Sequence, residues 1–177
     1  MTITVSQFRE EFADREAIRD CIHRYARGID RVDEEMLRSA YWPDAIDDHG
    51  GLYAGPASEF IDQAMRNMPS AGDTVHIVTN ILIRIEGDRA KAESYVYAIQ
   101  CMPGEGATRD VLTAARYLDK FERRGDEWRI AERSVAIDWF REYPDSCDWA
   151  IGPFGLGDAS RGRKGPADRS SSWLDFR

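Results

Sequence analysis

The sequence predicts an α+β domain in which N-terminal helices cover the concave face of a strongly curved antiparallel sheet. Two changes of pattern lead there. Apolar residues recur at three- and four-residue spacing through about the first seventy positions, then alternate with period two over about the next seventy. Beyond Tyr143 the alternation gives way to a stretch dominated by Gly, Pro, Ser and Arg. Long alternating runs joined by short Gly-Asp turns pair antiparallel, and helices collected at one end of the chain make α+β rather than α/β.

Ile18, Cys21, Ile22, Tyr25, Ala26 and Ile29 form one buried stripe of a first helix. Gly28 weakens its last turn, and Asp30 stands where the chain is expected to leave it. Asp33 is placed to cap a second helix that carries Met36, Leu37, Ala40 and Tyr41 inward and stops at Pro43. Pro56 suits the first turn of a third helix, with Phe60, Ile61, Ala64 and Met68 apolar and Pro69 at its end.

From Asp73 the strands begin. Val75, Ile77, Thr79, Ile81, Ile83 and Ile85 point one way on the first, and His76, Val78, Asn80, Leu82 and Arg84 the other. Glu86 to Arg89 is a hairpin turn into a second strand over 91–102, and a third covers 111–123. Arg124 to Glu127 turns the chain into a fourth over 128–140. The domain is expected over 1–142. A tail over 143–177 is expected to pack on it or on a neighbouring subunit, with Trp149, Phe154, Trp173 and Phe176 as possible anchors. The runs from Gly155 to Ser160 and from Gly157 to Lys164 only partly match dinucleotide and phosphate loops. Neither lies between a strand and a helix, so they imply no nucleotide.

Composition narrows the partners. The formal net charge of −8 argues against nucleic acid or an anionic membrane surface, which would need a basic footprint. Three cysteines, Cys21, Cys101 and Cys147, are odd in number and widely spaced, which suits reduced thiols and a cytoplasmic location. The opening residues lack the cationic and apolar regions of a signal peptide, and no apolar run reaches spanning length.

Few residues carry chemistry. His76 lies mid-strand on a mixed face; it reads either as a satisfied interior histidine or as a general base, since imidazole titrates near neutrality. Asp30 reads as a helix-end carboxylate that extends the Ile22–Ala26 ridge and can face a pocket. A carboxylate bonded to one imidazole nitrogen fixes the tautomer and raises the basicity of the other nitrogen. Tyr25 points inward and can offer a hydroxyl. Arg133 shares a strand face with Val135, Ile137 and Trp139 and needs a partner, for which Asp30 or a substrate oxygen would serve. Asp44, Asp47, Asp48 and His49 have the composition of a metal site, but their setting between Trp-Pro and Gly-Gly reads as a solvated loop. No metal and no cofactor are therefore expected.

The order of these pieces resembles the SnoaL-like branch of the nuclear transport factor 2-like superfamily. The segments that carry the likeness are Arg24 to Asp30, Tyr41 to Ala45, Gly55-Pro56, Val75 to Asn80 and Trp128 to Ile130, spread over about residues 8–142. Within it the chain looks most similar to the lyase group of hexachlorocyclohexane dehydrochlorinase, scytalone dehydratase and bile-acid 7α-dehydratase. The resemblance implies a cone-shaped sheet enclosing a pocket, and a homodimer or homotrimer that would bury the Ile77–Ile85 sheet face. It also implies a cofactor-independent lyase taking a carbon proton from a small cyclic, largely apolar substrate. The family's Asp–His pair falls on Asp30 and His76, its arginine on Arg133, and a helix tyrosine on Tyr25. A second tyrosine has Tyr53 as its nearest counterpart, with His49 another. Isomerisation and cyclisation need the same proton abstraction. The fold also serves the non-catalytic small (beta) subunit of aromatic-ring-hydroxylating dioxygenases and non-catalytic binding modules.

Overall fold

The structure is a computed structural model that describes residues 4–102, 109–144 and 162–173. Among the described residues three α-helices, α1 (Val5–Arg31), α2 (Glu34–Ser39) and α3 (Ala57–Asn67), accompany six strands. These are β1 (Tyr41–Asp48), β2 (Ala54–Pro56), β3 (Thr74–Glu86), β4 (Arg89–Met102), β5 (Arg109–Arg124) and β6 (Glu127–Pro144). They form one sheet in the order β2-β1-β6-β5-β4-β3.

Helix α1 starts on a capping box, in which the Thr4 side chain accepts from the Gln7 amide and the Gln7 side chain reaches back. It ends where Val32 takes a left-handed conformation, φ 55°. Its apolar stripe (Ile18, Cys21, Ile22, Tyr25, Ala26 and Ile29) is buried, as the spacing predicts. Asp30 lies inside the last turn rather than beyond the helix. Gly28 has a packing reason: a Cβ there would sit 2.7 Å from the Leu37 amide nitrogen, so only glycine lets α1 and α2 approach so closely.

The expected second helix is shorter than the periodicity suggests. It closes at Ser39, and Tyr41–Asp48 is a strand that pairs parallel with β6. The sheet is therefore mixed rather than wholly antiparallel. The four long strands, β3 to β6, are antiparallel throughout. Tyr41, Ala45 and Asp47 are buried at alternate or near-alternate positions, which is a strand's periodicity; Pro43 interrupts it and mimics a helix stop.

Bulges bend the sheet. The β3–β4 register shifts between Thr79 and Leu82, where Asn80 adopts φ 50°, and β5–β6 shifts at Ala114/Ala115 and Lys120/Phe121. Each inserts residues into one strand and increases the local twist. The first one corrects the face assignment of β3. Thr74, His76 and Val78 face the helices, and after the bulge Ile81, Ile83 and Ile85 do. The opposite face carries Val75, Ile77, Thr79, Leu82 and Arg84. The apolar face expected from Val75 to Ile85 is thus split between the two sides.

The core lies between the helices and the concave sheet face, with Leu37, Tyr41, Ile61, Val96, Tyr117, Phe121, Trp128 and Ile130 packed on the α1 stripe. The convex face stays open and apolar in places, with Ile77 50%, Leu82 69% and Tyr95 40% exposed. Among the described residues no helix is long and apolar enough to cross a membrane. The described part of the tail is anchored by Lys164, whose Nζ donates to the carbonyls of Met68, Ala71 and Gly72 at 2.6, 2.9 and 2.7 Å. Trp173 is 80% exposed and anchors nothing, while Trp149, Phe154 and Phe176 lie outside the described residues. The loop-like run over 155–160 lies outside them too, as do residues 157–161 of the run over 157–164.

Candidate active site

Two elements bring Asp30 and His76 together. The last turn of α1 lies against the start of β3, and the inward face of that strand presents His76. Asp30 Oδ1 is 2.6 Å from His76 Nδ1, and Asp30 Oδ2 accepts the His76 backbone N–H at 2.8 Å. The Thr74 hydroxyl donates to Oδ1 at 3.4 Å. Both side chains are close to buried, at 10% and 7% exposure. A carboxylate bonded to both ring and backbone of one residue holds the imidazole in one orientation. With Nδ1–H donating to Asp30, Nε2 is the free end, and it has no hydrogen-bond partner among the described residues. A groove of about 420 Å³ opens beside the pair between α1 and β3, lined by His23, Ala26, Arg27, Arg31, Ile77 and Val78.

Arg133 is fully buried, and its partner is Asp119 rather than Asp30. Nε and Nη2 meet Oδ1 and Oδ2 at 2.7 and 2.8 Å in a bidentate pair. Its guanidinium lies 4.0 Å from the Tyr25 ring centroid and 3.9 Å from that of Tyr117, with Tyr41 at 5.8 Å. Planar guanidinium suits both contacts, which lysine would not reproduce. Burial works against the charge, but Asp119 and the tyrosines hold the Arg133 pKa well above its ordinary value. Among the described residues one donor, Nη1, has no partner, and neither does the buried Ser94 hydroxyl.

Tyr25 is 1% exposed and packs edge-to-face on Tyr41 and Tyr117, with centroids 5.9 and 5.6 Å apart. Burial pushes its hydroxyl well above the usual tyrosine range, so it is a donor and not a phenolate. Burial likewise pushes Tyr117 to about 12 and the Cys21 thiol to about 12, which makes Cys21 a core side chain rather than a nucleophile. Tyr53 stands apart from the dyad; its hydroxyl donates to the Pro56 carbonyl at 2.8 Å.

The acidic segment at 44–49 is not a solvated loop. Asp47 sits on β1 with no exposed surface; Tyr41 donates to its Oδ2 at 2.6 Å, and His49 Nδ1 lies 3.0 Å from its Oδ1. The His49 ring stacks on Phe60 of α3 at 4.4 Å. Burial tends to raise the Asp47 pKa, but the His49 bond and charge, Arg133 and Tyr41 together hold it below the usual carboxylate range. The alternation Tyr41, Ala45, Asp47 was the signal in the sequence, masked by Pro43 and the run of acids. No cluster of three or more metal-binding side chains occurs among the described residues.

With this geometry in hand, comparison with known proteins places the chain. A SnoaL-like domain matches residues 10–134. The protein belongs to the SnoaL-like family. It is 29% identical over 136 residues to hexachlorocyclohexane dehydrochlorinase 1 of Sphingobium indicum, covering 74% of this chain and 86% of that one. The type 3 hexachlorocyclohexane dehydrochlorinase of Novosphingobium barchaimii superposes with a TM-score of 0.69 at 25% identity, over 81% of this chain and 97% of that one. A scytalone dehydratase-like protein of Novosphingobium aromaticivorans matches with a TM-score of 0.67 at 18% identity, over 75% and 89%, and bears on the fold alone. The dehydrochlorinase relatives support a lyase-like function.

Proposed function

We propose that the protein is a cofactor-independent lyase that removes HX from a small cyclic, largely apolar substrate, where X is halide or hydroxyl. His76 Nε2 takes a proton from carbon, and Asp30 stabilises the imidazolium that forms. The observation that carries this is the double grip of Asp30 on His76, through ring and backbone at 2.6 and 2.8 Å, which aims an unpartnered Nε2. A pair serving only structure has no need of a free nitrogen beside a groove. Nη1 of Arg133, without a partner among the described residues, and the neutral hydroxyl of Tyr25, which bonds Tyr117, suit the departing atom. Dehydrochlorinase relatives support the reaction class.

The chain is proposed to work as a cytoplasmic homo-oligomer. The exposed apolar side chains of the convex face, Ile77, Leu82 and Tyr95 among them, support self-association through that face.

The test is turnover. Polyhalogenated cyclohexanes and cyclic β-hydroxy ketones should be incubated with the protein in D2O, following halide or water release and exchange of the acidic C–H by NMR. The native chain should react, and His76→Ala should fall by about 10²–10⁴ in rate, the contribution of a general base. Undiminished turnover in His76→Ala would remove the base from the account.

A further inference from the structure

The two halves of the Asp30–His76 pair sit on different elements, the last turn of α1 and the start of β3, and one segment grips both. That segment is the described part of the tail, which lies beyond the SnoaL-like match over residues 10–134. On the His76 side the grip is Lys164. A helix end leaves its last carbonyls without amide partners, and α3 ends on Met68 as its C-cap. The three donors of the Lys164 ammonium go to three carbonyls there, those of Met68, Ala71 and Gly72. Gly72 is pressed on β4 from the other side, since a Cβ there would sit 2.0 Å from the Cys101 carbonyl oxygen. The residues that follow this turn open β3: Thr74, which donates to Asp30, and then His76.

On the Asp30 side the grip is Ser170, whose carbonyl accepts from Arg27 Nη2 at 2.8 Å, about one turn before Asp30 on α1. Arg27 also lines the groove beside His76. Between the two grips the chain is folded on Asp168. Its Oδ2 accepts the Arg163 amide at 2.7 Å, and its Oδ1 accepts the Ser170 amide at 2.9 Å and the Ser170 hydroxyl. The Arg163 amide and the Ser170 hydroxyl and amide hold the Asp168 carboxyl well below the usual carboxylate range, and Arg31 of α1 acts the same way. Residues 163–170 are therefore tied to themselves as well as to the domain. Burial draws the Lys164 pKa down while Asp73 and Asp30 oppose it, so the ammonium stands within electrostatic reach of the carboxylate that holds His76.

Resting on the lyase reading above, we infer that residues 163–170 brace the Asp30–His76 pair and that Lys164 is its positioning residue. The ring and backbone contacts of 2.6 and 2.8 Å require the end of α1 and the start of β3 to keep a fixed relation. Each end of the brace fixes one of those elements. Lys164 is not among the residues lining the groove, so it acts on the reaction through the turn at 71–73 that it holds. Misplacing a reacting group by about 1 Å costs on the order of 10²-fold in rate.

The test uses the full-length protein with two variants. Lys164→Met keeps the stem and removes the donors. Asp168→Ala removes hydrogen bonds that lie wholly within the tail, and it keeps the question answerable should Lys164→Met fail to fold. The first readout is the NMR resonance of the His76 Nδ1 proton, which reports the bond to Asp30 with no substrate present. The second is elimination of water from 3-hydroxycyclohexanone, and the third is melting. Both variants should shift or broaden the His76 resonance and lower kcat by about 10- to 10²-fold. KM should stay within about twofold, because His23, Ala26, Ile77 and Val78 still line the groove. A helix cap with no further role would lower melting and leave the other two readings at native values. An unmoved His76 resonance overturns the brace, as does a kcat within about twofold of native. Should the native protein release no water, the lyase reading fails on this probe and the resonance alone decides the brace.

Discussion

Two buried carboxylate pairs, Arg133–Asp119 and Asp30–His76, sit on the concave face, and they do different things. Arg133–Asp119 is closed: both side chains are fully buried, the contact is bidentate, and tyrosine rings cover the guanidinium. Asp30–His76 is open at one end, with a groove beside it and one nitrogen unengaged among the described residues. A closed pair is a condition of folding, because removing either member strands a charge in the core. An open pair leaves its free end for chemistry, and its contribution to stability is smaller. Among the described residues each pair leaves one nitrogen without a partner, Nη1 of Arg133 and Nε2 of His76, but only His76 stands beside the groove.

The largest expected effect breaks the closed pair. Arg133→Met should cost about 3–5 kcal/mol in urea unfolding by leaving Asp119 buried and unpaired, and Arg133→Met with Asp119→Leu should recover much of that. A loss below about 1 kcal/mol in the single variant would show that the pair is not the scaffold described. Next comes Gly28→Ala, which places a Cβ against the Leu37 backbone at 2.7–2.9 Å. Forcing α1 and α2 apart should cost about 1–3 kcal/mol and shift the last turn that carries Asp30. Retained turnover with lowered melting would show that the dyad tolerates this shift.

The smallest effect concerns pH. The folded state holds the Asp47 carboxyl below its ordinary range. Its contribution is therefore present above the unfolded value of about 3.9 and lost as pH falls through the lower folded value. Asp47→Asn should flatten the stability of the protein between about pH 5 and pH 2 relative to the native chain. An unchanged acid limb would mean that Asp47 is not charged in the fold.

Much of this was legible in the sequence because it rests on period. The α1 stripe and the four long strands follow from apolar spacing, and the Gly-Asp turns mark where those strands reverse. The Asp30–His76 meeting was reached through likeness to a family, since no local rule joins residues 46 positions apart. What escaped was aperiodic. A bulge at Asn80 exchanged the faces of β3 midway, and alternation alone cannot see an inserted residue. Pro43 and the acidic run hid β1, so Asp47 and His49 read as solvent-facing. Arg133 was known to need a partner, yet Asp119 on the neighbouring strand emerges only once the β5–β6 register is fixed.

The central claim is that Asp30 and His76 act as one catalytic unit. The decisive measurement is a double-mutant cycle of native protein, Asp30→Asn, His76→Ala and the double variant, with turnover and melting recorded on the same four proteins. Members of a unit do not add. Each single variant should lose on the order of 10²–10⁴ in rate, the double variant should be little worse than either, and all four should melt cooperatively within a few degrees. Undiminished turnover with a large drop in melting temperature for either single variant would contradict the account, because it would make the pair a closed one like Arg133–Asp119.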